Sequence, residues 1–226
     1  MSTYVLIHGA GSESWYWHRV IPLLEEAGHR AVAVDLPADD DDAGLEDYAD
    51  RVVKAIDKRK AVVVAHSLGA FTAPLVCARV PVEALVFVNA MIPVPGEKAS
   101  EWGDHTKSKE ARTEAAQRGG YSTEFDIATY FLHDLPKDLA EESGKHEREE
   151  AEAAFSEPCR FERWPEVPTH VIVGKDDRLF PADFQARVAR ERLGQTVEAI
   201  PGGHLVALAN PHGLADKLLG YARALQ

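Results

Sequence analysis

The chain is short of cysteine, of positive charge and of long apolar runs. Among its 226 residues the only cysteines are Cys77 and Cys159. Neither has the spacing of a metal knuckle, and two thiols cannot staple a disulfide framework of the kind small secreted domains use. Two reduced thiols are the simpler expectation over a Cys77–Cys159 bridge, with Cys77 acting as a buried small hydrophobe in a helix. Lysine and arginine number 25 against 37 acidic residues, a formal charge of −12, which argues against nucleic acid or an anionic membrane surface as partner. No apolar segment approaches the ~20 residues of a membrane span, and no basic segment leads into an apolar run near Met1. The expected setting is therefore cytoplasmic, with no signal peptide and no membrane partner. Metal motifs are missing as well. Asp39-Asp40-Asp41-Asp42 lacks the glycine and distal glutamate of a calcium loop and reads as a solvated turn. His146-Glu147-Arg148-Glu149-Glu150 lacks the second histidine of a zinc helix. No metal and no cofactor is expected.

What the chain does have is alternation. Short runs at Tyr4–Ile7, Ala31–Val34, Ala61–Ala65, Ala84–Val88, Thr169–Gly174 and Val197–Ile200 read as strands, and Ala61–Ala65 is continuously apolar without polar alternation, as a strand buried on both faces requires. Helical spacing of apolar residues separates them: Val20, Ile21, Leu23, Leu24 and Ala27; Leu45 to Lys58; Leu68 to Arg79; Ala182 to Leu193; and about Gly213 to Leu225. This predicts an α/β fold, a mainly parallel six-stranded sheet flanked by helices, with right-handed crossovers. Pro74 conflicts with a continuous helix from Leu68 to Arg79, because it removes a backbone donor.

The alternation breaks between about residues 92 and 166. That stretch holds 18 acidic and 10 basic residues, so most of the net negative charge lies in it, together with aromatic residues such as Trp102, Tyr121, Phe125, Tyr130, Phe131 and Trp164. It reads as a helical cap inserted into a single domain spanning 1–226, acidic outside and apolar beneath, with Glu147 to Ala154 its clearest helical piece.

In an open parallel sheet, functional groups gather at the carboxyl ends of the strands. Four of the predicted ends are suggestive: His8-Gly9-Ala10-Gly11, Ser67, Asp176-Asp177 and His204. Ser67 follows a buried strand and precedes a helix, flanked by the small residues Ala65 and Gly69. That is the pattern of a nucleophile elbow, G-x-S-x-G, with Ala65 in the first glycine's place. A serine hydroxyl becomes a useful nucleophile when an imidazole takes its proton and a carboxylate holds that imidazole in the right tautomer. His8 and His66 flank the serine and read as satisfying backbone groups. Trp15 and Trp17 read as packing the first helix, and Asp35 as capping its own loop.

Taken together, His8-Gly9-Ala10-Gly11 with Trp15 and Trp17, Ala65-His66-Ser67-Leu68-Gly69, Gly174-Lys175-Asp176-Asp177 through Pro181, and Gly202-Gly203-His204 resemble the α/β-hydrolases. The resemblance is to the small, single-domain branch that includes plant methylesterases and hydroxynitrile lyases, and to bacterial carboxylesterases. It implies Ser67 as nucleophile, His204 as general base and then acid, and Asp177 as the carboxylate. Asp177 is selected over Asp176 by the family pattern G-x-x-D-x-x-x-P. The resemblance also implies an oxyanion hole formed by the backbone N–H groups of Ala10 and Leu68. Some relatives place the acid after the strand that ends here at Asn89, and an amide cannot fill that role.

The implied activity is that of a serine carboxylesterase on small or medium neutral esters, through an acyl-serine. One alternative is a slow-turnover, receptor-like member of the fold that chiefly binds its ligand. Another, the hydroxynitrile lyases, carry a lysine after the catalytic histidine and a threonine in the oxyanion loop; here those positions are Leu205 and Gly9. Dehalogenases and epoxide hydrolases of the fold use an aspartate nucleophile, where this chain has Ser67.

Overall fold

In the computed structural model, which describes residues 1–56 and 61–224, the six short runs form one wholly parallel six-stranded sheet. The strands are β1 (Thr3–Ile7), β2 (Arg30–Val34), β3 (Ala61–His66), β4 (Ala84–Val88), β5 (Thr169–Gly174) and β6 (Val197–Ile200), in the spatial order β2-β1-β3-β4-β5-β6. Register pairs Ile7 with Ala65, Ala65 with Phe87, and Phe87 with Val171 across the middle of the sheet.

Side-chain alternation sorts each strand between two cores. Val5, Ile7, Val63, Ala65, Leu85, Phe87, Val171 and Val173 face one layer of helices. Tyr4, Leu6, Val62, Val64, Val86, Val88 and Ile172 face the other. Both faces are covered, which is why a strand such as β3 reads as an unbroken apolar run. The helices between β1 and β4 are α1 (Ile21–Glu26), α2 (Leu45–Ile56) and α3 (Ala73–Arg79). The long connection from β4 to β5 carries α4 (Ala99–Thr106), α5 (Ser108–Gly119), α6 (Ile127–Tyr130), α7 (Lys137–Ser143) and α8 (Glu152–Ser156). Then come α9 (Ala182–Leu193), α10 (Val206–Ala209) and α11 (Pro211–Ala224). The predicted helix ends at Lys58 and Leu225 lie outside the described residues. Among the described residues no helix is long and apolar enough to cross a membrane.

Three local expectations are corrected. The helix predicted over Leu68–Arg79 is two: a 3-10 turn at Ser67–Phe71, then α3 beginning after Thr72. Pro74 falls in the first turn of α3, where its missing N–H has no intrahelical acceptor to lose. The helix predicted over Glu147–Ala154 forms only from Glu152, and residues 147–151 stay extended or irregular. Their backbone is bonded elsewhere: Arg148 N–H donates to the Gly11 carbonyl at 3.3 Å and Ala151 N–H to the Ala38 carbonyl at 2.8 Å. Tertiary partners there override local propensity. Finally, both cysteines are free thiols, but the fully buried one is Cys159, whose thiol meets the Phe71 carbonyl at 3.1 Å. Cys77 is half-buried.

Candidate active site

Because every strand runs the same way, the carboxyl ends of β1, β3, β5 and β6 lie along one edge of the sheet. Ser67 leaves β3 with φ of +50°, a left-handed conformation that a non-glycine residue adopts only where its surroundings enforce it. Enforcement comes from close packing. Gly69 lies so near β1 that an added Cβ would stand 2.5 Å from the His8 carbonyl oxygen and 2.9 Å from Ile7 Cγ2. The Ser67 carbonyl accepts from Met91 N–H at 3.0 Å, fixing the turn from the β4 side.

The structure brings Ser67, Asp177 and His204 into one hydrogen-bonded line. His204 Nε2 lies 3.1 Å from Ser67 Oγ, and His204 Nδ1 lies 2.9 Å from Asp177 Oδ2. Since the carboxylate only accepts, Nδ1 carries the proton and Nε2 presents a lone pair to the serine hydroxyl. Asp177 Oδ1 accepts from the backbone N–H groups of Leu179 and Phe180, both at 2.9 Å, and Oδ2 accepts in addition from Gln185 Nε2 at 3.2 Å. Four donors therefore fix a carboxylate that is itself buried. Asp176 instead bonds to the loop after β6: its Oδ2 accepts from Gly202 N–H at 3.0 Å. The rings of Phe131 and Phe180 stand edge-on to His204, each with centroid 5.1 Å away, and shield the imidazole from water.

Ala10 lines the cavity beside Ser67. Its N–H donates to no other group among the described residues. Leu68 N–H lies in the first turn of the 3-10 helix, where amides lack intrahelical partners. The two other histidines near the serine are occupied with backbone. His8 Nδ1–H donates to the Gly9 carbonyl at 2.8 Å and its Nε2 accepts from Leu36 N–H at 3.2 Å. His66 Nε2–H donates to the His204 carbonyl at 3.0 Å, and its ring stacks on Tyr16 at 4.3 Å. Burial pushes the His66 imidazole well below the usual histidine range, and the neighbouring His204 pushes it the same way. Burial also lowers His8.

Above the serine lies a cavity of about 250 Å³. Its walls are largely apolar, with Trp15, Tyr16, Phe131, Leu132, Leu205 and Leu208 contributing, while His146, Glu147 and Arg148 bring polar groups. Trp15 therefore walls the cavity, whereas Trp17 is buried in the core as a packing residue. Trp15 is held between His18 and His146, with ring centroids at 4.3 and 4.2 Å, and His146 is bonded in turn to Glu13 at 2.5 Å. Among the described residues no three His, Cys, Asp or Glu side chains converge to hold a metal ion.

The geometry also gives supporting roles that sequence reasoning did not assign, including one to Asn89, which was set aside there because an amide cannot replace the acid. Asn89, also at positive φ (+45°), is fully buried at the end of β4. Its Oδ1 accepts from Gly174 N–H at 2.7 Å, and its Nδ2 donates to the Gly203 and His204 carbonyls at 3.0 and 2.9 Å. It thus ties β4, β5 and the His204 loop together. A buried amide at a strand end was the one available signal. Gln185, Asp134 and Glu150 carried none.

A match to the model of the alpha/beta hydrolase family extends over residues 4–217. The chain belongs to that family. This alpha/beta hydrolase is 39% identical over 107 residues to "Probable esterase PIR7A" of Oryza sativa subsp. indica, a match spanning 42% of this chain and 41% of that protein. It is 26% identical over 250 residues to "Methylesterase 2" of Arabidopsis thaliana, covering 97% and 95% of the two chains. Among solved structures it is similar to a pyrethroid hydrolase from Sphingobium faniae JZ-2, with a TM-score of 0.79 at 21% identity over 99% of this chain and 98% of the other. That likeness is one of fold.

Proposed function

We propose that this alpha/beta hydrolase is a serine carboxylesterase for small or medium neutral esters, with Ser67, His204 and Asp177 as its catalytic residues. The single observation that carries the reading is the unbroken line from Ser67 Oγ through His204 to Asp177, at 3.1 and 2.9 Å, at the floor of an apolar cavity. The names of the esterase and methylesterase relatives support the same reaction class.

In the proposed reaction Ser67 Oγ attacks the ester carbonyl carbon as its proton passes to His204 Nε2. Asp177 stabilises the imidazolium through Nδ1–H. The carbonyl oxygen becomes an oxyanion facing the N–H groups of Ala10 and Leu68, donors of a kind that each supply about 3 kcal/mol of transition-state stabilisation. Collapse breaks the ester C–O bond, and His204 returns the proton to the departing alkoxide, which leaves as the alcohol. Water then loses a proton to His204 and attacks the acyl-serine, releasing the carboxylic acid and restoring the serine.

The cavity lies just below the usual range of ligand sites, about 300–1,000 Å³, which favours compact acyl and alcohol groups. The connection between β4 and β5 supplies Phe131, Leu132 and the 146–148 stretch to its walls, so we read this connection as the cap that sets specificity.

The test is a set of chromogenic esters of increasing acyl length, with organophosphate labelling read by mass spectrometry. Wild-type protein is expected to hydrolyse the short esters and to take one label on Ser67, and Ser67→Ala to lose turnover by up to about 10⁶-fold and the label with it. Near-wild-type hydrolysis by a folded Ser67→Ala protein overturns the assignment. Tight ester binding without turnover or labelling replaces it with a binding role.

A further inference from the structure

Two of the loops that carry the proposed chemistry are each fastened by a carboxylate sent across from the β4–β5 connection. Asp134, between α6 and α7, accepts a hydrogen bond at 2.5 Å from the N–H of Gly203, the residue before His204. The approach is close enough that a Cβ at 203 would stand 2.8 Å from Asp134 Oδ1 and 2.9 Å from His133 Cε1, so a larger residue there would push these side chains aside. Glu150, just before α8, accepts from the N–H of Gly11, the residue after Ala10, at 3.0 Å. Its other oxygen accepts from the Tyr48 hydroxyl at 2.6 Å, which anchors the carboxylate to α2. Gly11 is held from both sides, because its carbonyl accepts from Arg148 N–H.

We propose that Asp134 and Glu150 are positioning residues for hydrolysis, Asp134 aiming His204 and Glu150 aiming the Ala10 N–H, so that the centre is assembled only while the 131–151 stretch is seated. The inference rests on the carboxylesterase reading above. Neither carboxylate touches the reacting atoms. Each acts through one backbone amide, and misplacing a catalytic group by about 1 Å costs on the order of 10²-fold in rate. Burial pushes the Glu150 carboxyl up from its usual range against the bonds from Tyr48 and Gly11. Glutamine keeps an accepting oxygen there without the charge, and is the conservative replacement.

The experiment compares Asp134→Ala, Asp134→Asn, Glu150→Ala and Glu150→Gln with wild type. The readouts are kcat and KM on a short chromogenic ester, the organophosphate labelling rate, and hydrogen exchange of peptides spanning 8–12 and 202–206. The alanine variants are expected to lose about 10- to 100-fold in kcat and labelling rate with KM within about threefold. Each is expected to exchange faster in its own loop only, and the Asn and Gln variants to recover to within about threefold of wild type. Alanine variants that exchange faster or melt lower yet keep wild-type kcat overturn the proposal and leave the two carboxylates merely structural. So do Asn and Gln variants as impaired as alanine. A wild-type protein with neither turnover nor labelling overturns the esterase reading itself, and this proposal with it.

Discussion

Asn89 takes no part in the proposed reaction, yet both donors and the acceptor oxygen of its amide are engaged. The donors go to the Gly203 and His204 carbonyls, and the oxygen accepts from Gly174 N–H. Asn89→Ala strands at least Gly174 N–H and the Gly203 carbonyl in a dry interior, at about 1–3 kcal/mol each. The melting temperature is expected to fall by roughly 5–15 °C, and ester turnover with it, because the His204 loop loses a tether. A calorimetric midpoint within about 2 °C of wild type would show that the amide does not hold the loop. At this scale the residues proposed to react were legible as candidates in the sequence because each follows a strand end at a recognisable spacing. Their supports were not. Asn89, Gln185, Asp134 and Glu150 act through hydrogen bonds to backbone or to Asp177 from distant parts of the chain, and a backbone amide accepts partners from any sequence position.

At the scale of elements, the elbow shows what a one-dimensional pattern captures. Strands β1, β3 and β4 were legible because burial on both faces demands uninterrupted apolar runs. Helix boundaries were not, because caps and tertiary bonds decide them: Arg148 and Ala151 donate to the Gly11 and Ala38 carbonyls and hold residues 147–151 out of the helix their composition favours. Pro74 has the same lesson, since the break at Thr72 converts a helix breaker into a helix starter. Two substitutions on this element therefore separate. Gly69→Ala pushes a methyl group into the His8 carbonyl and Ile7, which forces β3 and its elbow away from β1. It is expected to cost about 1–3 kcal/mol and to depress turnover out of proportion, because Ser67 moves with the turn. Pro74→Ala adds a donor in a first helical turn and is expected to change stability by less than about 1 kcal/mol with turnover retained. Urea titrations paired with initial rates check both, and a Gly69→Ala protein as stable and as active as wild type would show that the elbow does not need that close approach.

For the whole molecule, the buried neutral histidines set the response to acid. Burial lowers both His8 and His66, His66 the more strongly. As pH falls below about 6.5 the unfolded chain protonates these imidazoles while the fold does not. More protons bound by the unfolded state means stability is lost on acidification, by up to about 1.4 kcal/mol per pH unit for each histidine, until the folded values are reached. Glu150 works in the opposite sense. Its raised carboxyl binds a proton in the fold before the unfolded chain does, so acidification stabilises it down to the ordinary glutamate range. Burial works against the Glu97 carboxylate, but Arg192 and His105 hold it low, so it contributes only at still more acid pH. Relief of self-repulsion from a net charge of −12 acts on every variant alike. The difference between two proteins therefore isolates one group. His66→Gln keeps a donor toward the His204 carbonyl and removes one titration. Between pH 7.5 and 5.5 its unfolding free energy in urea is expected to fall less steeply than that of wild type, by about half a proton's slope on average, or about 1.4 kcal/mol over the interval. Parallel pH profiles would mean that His66 takes up its proton in the fold as readily as in the unfolded chain, which would place a positive charge beside His204 below about pH 6.5 and weaken the case for His204 as the base that serves Ser67.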